Sequence, residues 1–245
     1  LMYLEAPKVV FRVDASLEIG TGHVMRCLTL ADGLREKGAE CLFIHRAHAG
    51  NMAEAIKARG HSVRELAAPA FEVGLERTTE YAQWLGVPAE QDAKETRDVL
   101  GEERPDWLVV DHYALDSAWE AELRSLVGSI AALDDLADRP HDCDLLLDQN
   151  YFPAAEARYA ELVPQAATRL CGPRYALLRP EYARARRLIG LRRGPVSRVL
   201  VFYGGADPDN ETGRALRVLS RPEFAHLAVD VVIGANNPHK ETLRQ

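Results

Sequence analysis

The stretch Val9-Val-Phe-Arg-Val-Asp14, followed by Gly20-Thr-Gly-His-Val-Met-Arg26, decides the fold of this chain. Its first half is a short apolar run with the character of a buried strand. After the glycine turn, apolar residues recur at helical spacing, at positions 24, 27, 28, 31 and 34. A strand, a tight turn and a helix in this order predict the first βα unit of a parallel α/β sheet.

The same alternation continues through the first 190 residues. Helices are predicted at 52–58, from 88 to about 103 and at 117–127. Further strands are predicted at 41–44, 61–66, 107–110, 130–133, 145–147 and near Leu170. Together with 9–13, these make roughly seven strands, so the fold class is α/β with a parallel sheet.

A second domain is predicted after the segment 190–197, whose glycine, proline and charge content is typical of a connector. We predict an N-terminal domain over 1–190 and a second βαβ opening over 198–245, with strands at 198–202 and 229–233 around a helix at 212–219. Its few residues cannot cover both faces of a parallel sheet. Since the chain also starts at Leu1 and the segment 237–245 resembles a helix that has just begun, we expect a truncated second domain.

Charge and hydropathy exclude several functions. The net charge of -7 and the pI near 5.7 argue against nucleic acid or an anionic membrane as a partner. No apolar run of about eighteen residues and no secretory signal occur, which predicts a cytoplasmic protein. The four widely spaced cysteines suggest reduced, structural thiols. Oligomeric state is not predicted by any of these features.

His23 is the first candidate catalytic residue, because it lies where the glycine turn enters a helix. A free imidazole has a pKa of about 6.5, and a helix N-terminus disfavours its charged form, so a neutral base is expected. Asp14 could orient the imidazole or contact a substrate, although a salt bridge to Arg12 or Arg26 is an equal alternative. Arg12 is itself a candidate substrate-binding residue. Gly20 and Gly22 would let a ligand approach the backbone. A structural turn with a capping histidine is the other interpretation.

No cofactor is predicted. The dinucleotide pattern GxGxxG is not met, because Met25 stands where its third glycine would fall, and the phosphate-loop pattern GxxxxGK is absent.

The second candidate is Asp111-His112-Tyr113, directly after a buried strand, at the edge where open α/β sheets bind ligands. A helix-capping cluster is the alternative. Tyr113 could hydrogen-bond a substrate. A third, carboxylate-rich cluster follows at Asp134, Asp135, His141, Asp144, Asp148 and Asn150. Metal motifs are missing there, so turn-forming and capping roles are favoured and no metal is predicted. Asn150 of this cluster and Asp111 are candidate substrate-binding residues.

Two further regions could meet a diphosphate. Arginines at 174, 179, 184, 186 and 187 form a basic stretch that a solvated helical face mostly explains, with Arg179 as the strongest candidate. The turn Gly204-Gly205-Ala-Asp207 enters a helix in the second domain, and its amides could bind an anion.

Several separated motifs resemble the UDP-2,4-diacetamido-2,4,6-trideoxy-β-L-altropyranose hydrolase family. The matching segments are Arg12-x-Asp14-Ala15, Ile19-Gly20-x-Gly22-His23-Val24-x-Arg26-Cys27, Leu30-Ala31, Val110-Asp111-His112-Tyr113, Leu133-Asp134-Asp135, His141-x-Cys143-Asp144-x-Leu146-Leu147, Gly172-x-x-Tyr175-Ala176-Leu177 and Gly204-Gly205-x-Asp207-Pro208.

The resemblance implies a GT-B-like pair of Rossmann-type domains with a UDP-sugar substrate in the cleft between them. It also implies metal-independent hydrolysis in pseudaminic acid biosynthesis, which supports flagellin glycosylation. His23 would be the catalytic base and Tyr113 an active-site residue. A GT-B glycosyltransferase, for which an acceptor replaces water, is the enzyme alternative. A non-catalytic nucleotide-sugar-binding module is the other.

Overall fold

The computed structural model describes residues 6–69, 81–190, 193–205, 207–234 and 237–244. Its Cα positions divide the chain into two compact units, Leu1–Arg179 and Pro180–Gln245. This division falls before the helix that follows Pro180, whereas the predicted connector lies further along, at 190–197. Leu191 and Arg192 of that connector, Ala206 of the glycine turn and Gln245 at the end of the chain lie outside the described residues.

The first unit is built on one parallel sheet of seven strands, which confirms the predicted number. The strands are β1 (Lys8–Val13), β2 (Glu40–Arg46), β3 (Ser62–Leu66), β4 (Trp107–Asp111), β5 (Ser129–Leu133), β6 (Leu145–Asp148) and β7 (Thr168–Cys171). Their order in the sheet is β3-β2-β1-β4-β5-β6-β7. The chain therefore builds outward from β1 in one direction and then from β4 in the other, so the order reverses between these two strands.

Helices cover both faces of this sheet. They are α1 (Gly22–Glu36), α2 (Ala53–Ala58), α3 (Ala89–Leu100) and α4 (Ser117–Leu123), with short 3-10 turns at Ala82–Leu85, Arg124–Leu126, Ala155–Tyr159 and Pro173–Tyr175. The predicted helix over 88–103 ends early because Gly101 adopts a positive φ of 58°. The predicted helix over 117–127 changes to a 3-10 turn after Leu123.

The core has two layers, because successive side chains of each strand point to opposite faces of the sheet. Val10 packs in the layer that contains buried residues of α3 and α4, such as Trp119. Phe11, the next residue of β1, packs in the layer that contains Cys27 and Leu28 of α1. Since successive side chains of a strand point to opposite faces, a parallel sheet buried on both sides needs consecutive apolar residues, as the run Val9-Val-Phe supplies.

The second unit contains α5 (Pro180–Leu188), β8 (Arg198–Val201), α6 (Glu211–Leu219), β9 (Ala228–Val231) and α7 (Lys240–Leu243), with a 3-10 turn at Pro222–Phe224. β8 and β9 pair in parallel. Both strands end earlier than predicted, and the last helix starts at Lys240 rather than at position 237. Across the described ranges, no helix has both the length and the apolar character needed to cross a membrane.

Candidate active site

The candidate active site lies at the carboxyl ends of β1 and β4, where the strand order reverses. In open α/β sheets, the crevice at such a reversal is the usual place for a ligand. The loop after β1 leads to His23, the second residue of α1, and β4 ends at Asp111. Parallel pairing of Val13 with Asp111 therefore brings two motifs that are distant in sequence to the same edge.

His23 and Asp111 form a direct pair. His23 Nδ1 lies 2.6 Å from Asp111 Oδ1, and the side chains are 10% and 0% exposed. Burial opposes ionisation of this carboxyl, but nearby His23 and Arg26 hold the pKa of Asp111 well below its usual range. An ionised carboxylate only accepts hydrogen bonds, so Nδ1 of His23 carries the proton and a neutral ring has its lone pair on Nε2.

Arg26 fixes the Asp111 carboxylate in place. Its Nε donates to Oδ2 at 2.7 Å and its Nη2 to Oδ1 at 2.6 Å, while the Cys27 thiol donates weakly at 3.4 Å. The bidentate geometry suits a planar guanidinium. His23, Arg26 and Cys27 stand three and four residues apart on α1, and this spacing puts them on one helix face.

Tyr113, Asp135 and Asn150 form a second hydrogen-bonded group beside this pair. The Tyr113 hydroxyl donates to Asp135 Oδ1 at 2.5 Å, and Asn150 Nδ2 donates to Asp135 Oδ2 at 3.1 Å. Arg26 Nη1 lies 3.3 Å from the same Oδ2. Arg26 thus joins Asp135 to Asp111, and three of the predicted site residues besides His23 belong to one connected network.

A cluster of aromatic rings lies beside His23. The Tyr113 ring meets the imidazole edge-on, with centroids 4.6 Å apart and an interplanar angle of 83°. Trp84 lies 6.3 Å from His23 and stacks on Tyr113 at 5.7 Å, and Tyr81 lies 5.1 Å from Tyr113. These contacts restrict the orientation of the Tyr113 ring and reduce the access of water to the imidazole.

Arg12 and Asp14 occupy a separate, fully buried network, unlike the expectation that they would orient His23 or contact substrate. Arg12 binds Asp14 at 2.7 Å and Asp92 of α3 at 2.6 Å, with all three side chains at or near zero exposure. Asp14 also accepts the Arg46 amide at 2.7 Å. The salt-bridge alternative for Asp14 is therefore what the structure contains, and Asp111 takes the position against the imidazole.

His112 lies behind the site rather than in it. Its Nδ1 accepts the Ala114 amide at 3.1 Å, so its neutral ring carries the proton on Nε2, which lies 3.5 Å from Asp14 Oδ2. Burial is the main cause that lowers the pKa of His112 to about 4. A neutral, buried imidazole of this kind supports the strand end.

The acidic cluster is mostly occupied by protein donors. Asp134 binds Arg139, Asp144 binds Arg124 and the Ile130 amide, and Asp148 binds Arg158. His141 pairs with Glu120 at 2.8 Å. Within the described ranges, no group of three or more histidine, cysteine, aspartate or glutamate side chains has an arrangement that could hold a metal ion.

In the second unit, the Asp207 carboxylate binds backbone amides at the start of α6. It accepts the amides of Glu211 and Thr212 at 2.8 and 3.0 Å, so these helix-start amides are occupied. Gly204 and Gly205 are exposed. Arg179 is half-buried at the end of the first unit.

Arg26 was expected only as a possible partner of Asp14, and Asp135 only as a member of the acidic cluster, whereas the structure places them against Asp111 and Tyr113. Tyr81 and Trp84 were not singled out from the sequence, because they lie in an irregular stretch with no motif. The folded chain brings Trp84 beside His23 and Tyr81 beside Tyr113.

Two curated relatives are similar over nearly the whole chain, although no family model matches it. The UDP-2,4-diacetamido-2,4,6-trideoxy-beta-L-altropyranose hydrolase of Campylobacter jejuni is 26% identical over 239 residues, 97% of this chain and 73% of the relative. An uncharacterized protein of Methanocaldococcus jannaschii is 20% identical over 241 residues, 96% of this chain and 44% of the relative.

Two solved structures have a similar fold. MurG of Acinetobacter baumannii has a TM-score of 0.54 at 11% identity, with 97% of this chain and 70% of that chain covered. A glycosyltransferase from Rickettsia africae has a TM-score of 0.51 at 10% identity, with coverage of 96% and 70%. The predicted resemblance and fold class are thus confirmed: the chain has a GT-B-like α/β fold and is similar to the UDP-2,4-diacetamido-2,4,6-trideoxy-β-L-altropyranose hydrolase.

Proposed function

We propose that this chain carries the catalytic histidine of an enzyme that hydrolyses a UDP-linked 2,4-diacetamido-2,4,6-trideoxy sugar, as a step of pseudaminic acid biosynthesis. The observation that carries the proposal is the pair of His23 with the ionised Asp111 at the sheet reversal. Its position matches the place where this fold class binds ligands, and the chain is similar to a hydrolase with that substrate.

In the proposed reaction, His23 Nε2 removes a proton from a water molecule. The water oxygen forms a bond to the anomeric carbon, and the bond from that carbon to the diphosphate oxygen breaks with its electron pair leaving on UDP. The products are the free sugar and UDP. A positioned base of this kind contributes about 10² to 10⁴ in rate, and no cofactor takes part in the step.

The charges around His23 suit this role. The Arg26 guanidinium forms ion pairs with the carboxylates of Asp111 and Asp135, at 2.6 and 3.3 Å. Because these three groups have a net charge of about -1, they stabilise the imidazolium that forms when Nε2 accepts the proton.

The start of α1 could stabilise negative charge on the substrate. Thr21, which precedes the helix, makes no side-chain capping hydrogen bond. The first amides of α1 are not capped in this way, whereas Asp207 occupies the corresponding amides of α6. Uncapped helix-start amides favour an anion, which here would be a phosphate of UDP.

The test is UDP release from the diacetamido-trideoxy UDP-sugar in H₂¹⁸O, for wild type, His23→Ala and the control His226→Ala. His226 is exposed in the second unit. Wild type and the control are expected to release UDP and to place ¹⁸O in the sugar, while His23→Ala falls by at least about a hundredfold. Equal release by all three proteins would contradict the role of His23, and ¹⁸O in UDP would contradict attack at carbon.

A glycosyltransferase is the second candidate, because a solved glycosyltransferase has a similar fold. His23 could then deprotonate an acceptor hydroxyl instead of water. UDP release that begins only after an acceptor sugar is added would favour it. A non-catalytic binding module predicts UDP-sugar binding without turnover, unchanged by His23→Ala.

A further inference from the structure

The Tyr113 hydroxyl uses its single proton in a hydrogen bond within the protein. It donates to Asp135 Oδ1 at 2.5 Å, and within the described part of the chain this is its one hydrogen bond. Burial, followed by the bond to Asp135, raises the pKa of Tyr113 well above its usual range, so the phenol is neutral. A neutral phenol has one proton and two acceptor lone pairs. The Tyr113 oxygen can therefore only accept a hydrogen bond from a ligand.

Asp135 is the acceptor in its hydrogen bond with Tyr113. Its other oxygen receives Asn150 Nδ2 at 3.1 Å and lies 3.3 Å from the Arg26 guanidinium. All its contacts are donors, and an Arg side chain cannot act as an acceptor. In the bond between them, Tyr113 is the donor and Asp135 the acceptor.

The Tyr113 ring is held close to the reacting position. Its centroid lies 4.6 Å from that of His23, and the Trp84 ring stacks on it at 5.7 Å. A substrate bound against the His23 ring is therefore also close to the Tyr113 ring. The anomeric carbon has two ring neighbours, the ring oxygen, which has no proton, and C2, which bears an acetamido N–H in the proposed substrate.

We propose that Asp135 is a positioning residue that presents Tyr113 to the substrate as a hydrogen-bond acceptor, so that the site selects sugars with an N–H donor at C2. This inference rests on the proposed function. Asp135 acts through Tyr113 and Tyr113 contacts the acetamido group. The pair thereby determines specificity at the position next to the bond that breaks.

The test compares kcat/KM for the 2-acetamido UDP-sugar with kcat/KM for its 2-acetoxy analogue, in which an ester oxygen replaces the N–H. Wild type is expected to prefer the amide by about tenfold or more. Tyr113→Phe keeps the ring but loses the acceptor, so its preference falls close to one. Asp138→Asn is the matched control, because Asp138 lies three residues further along the same loop, is 54% exposed and pairs with Arg139. Its preference stays at the wild-type value.

Asp135→Asn is the decisive variant. Arg26 and Asn150 both donate, so they draw the new amide oxygen toward themselves and turn its NH₂ toward Tyr113. Tyr113 then accepts from the protein and donates to the substrate, and the preference for the amide falls below that of Tyr113→Phe. A merely structural role would lower both rates together and leave the preference unchanged, which would overturn the inference.

The wild-type protein separates this test from that of the function. If wild type releases UDP and all variants keep its preference for the amide, the inference fails and the proposed function stands. If wild type releases no UDP from either sugar, with water or with an added acceptor, the proposed function and this inference both fail.

Discussion

A single carboxylate determines what the imidazole of His23 can do. Asp111 is buried, ionised and 2.6 Å from Nδ1, so it selects the tautomer with a free lone pair on Nε2. Arg26 holds the same carboxylate through two bonds. The chemistry therefore depends on the charge of Asp111 as well as on its position.

Asp111→Asn is expected to lower kcat by about two to four orders of magnitude, because an amide NH₂ facing Nδ1 moves the imidazole proton to Nε2. KM should change little. Steady-state UDP release measures both. The matched control is Asp106→Asn, one residue before β4 at its opposite end, where the side chain accepts the Lys8 amide at 2.8 Å. Activity of Asp111→Asn above about a tenth of wild type would contradict this role.

Metal removal is expected to leave turnover unchanged. Aspartates of the acidic cluster, such as Asp134 and Asp148, are paired with Arg139 and Arg158 and are not free to bind a cation. UDP release would be measured after dialysis against EDTA and again after Mg²⁺ or Mn²⁺ is restored. A loss in EDTA that either ion reverses would refute the prediction.

The turn between β1 and α1 contains two glycines that have different roles. Gly20 has a φ of +79°, a conformation that only glycine adopts at low cost, and its amide donates to Ser16 O at 2.9 Å. Gly22 has ordinary backbone angles, and a Cβ there would meet no atom within 4 Å. The first glycine is needed for the turn, and the second leaves space above the start of α1.

Gly20→Ala is expected to destabilise the protein by about 1 kcal/mol or more, because of its positive φ. Gly22→Ala should change stability by less than about 0.5 kcal/mol, yet raise KM if the UDP-sugar approaches this backbone. Urea unfolding and UDP release measure the two effects. Gly33→Ala, in the middle of α1 with open space around it, is the control and should leave KM unchanged. An unchanged KM in Gly22→Ala would show that substrate does not approach Gly22.

Helix α3 is linked to the sheet by the buried carboxylate of Asp92. Asp92 lies on its buried face and receives Arg12, Arg46 and the Trp119 indole, at 2.6, 2.6 and 3.1 Å. Burial opposes its ionisation, but the arginines lower the pKa of Asp92. Removing one member of such a network leaves buried charges without a partner.

Asp92→Ala is therefore expected to cost about 3–5 kcal/mol in free energy of unfolding. Asp98→Ala, on the exposed side of the same helix and paired with Lys94, should cost less than about 0.5 kcal/mol. Urea denaturation followed by tryptophan fluorescence compares them, since all three tryptophans lie in the first unit. Similar losses in both variants would show that the buried network does not hold the helix.

At the scale of the whole molecule, polar groups buried at one edge of the sheet link stability to pH. His112 has a pKa lowered to about 4 in the folded protein, below the 6.5 of a free imidazole. Between these values the unfolded chain binds the additional proton, so stability rises with pH there and falls as pH drops from about 6.5 to about 4. The contribution is about 3 kcal/mol.

His112→Asn is expected to remove this part of the pH dependence, because an amide oxygen can still accept the Ala114 amide but does not titrate. The free energy of unfolding in urea would be measured at several pH values from about 3.5 to about 7.5, chosen to span this window. His226→Asn, at an exposed position, should keep the wild-type slope. If His112→Asn keeps that slope too, another group is responsible.

The sequence by itself determined the parallel α/β class, the order of elements and the two motifs that end at His23 and Tyr113. These follow from local pattern: strand and helix periods, glycine turns and polar residues after strands. Only the tertiary structure decided that Asp111, not Asp14, meets His23, that Asp92 of α3 joins Arg12, and that Trp84 lies beside the imidazole. Such contacts join residues up to 88 positions apart. They depend on strand order and side-chain direction, which no local pattern contains.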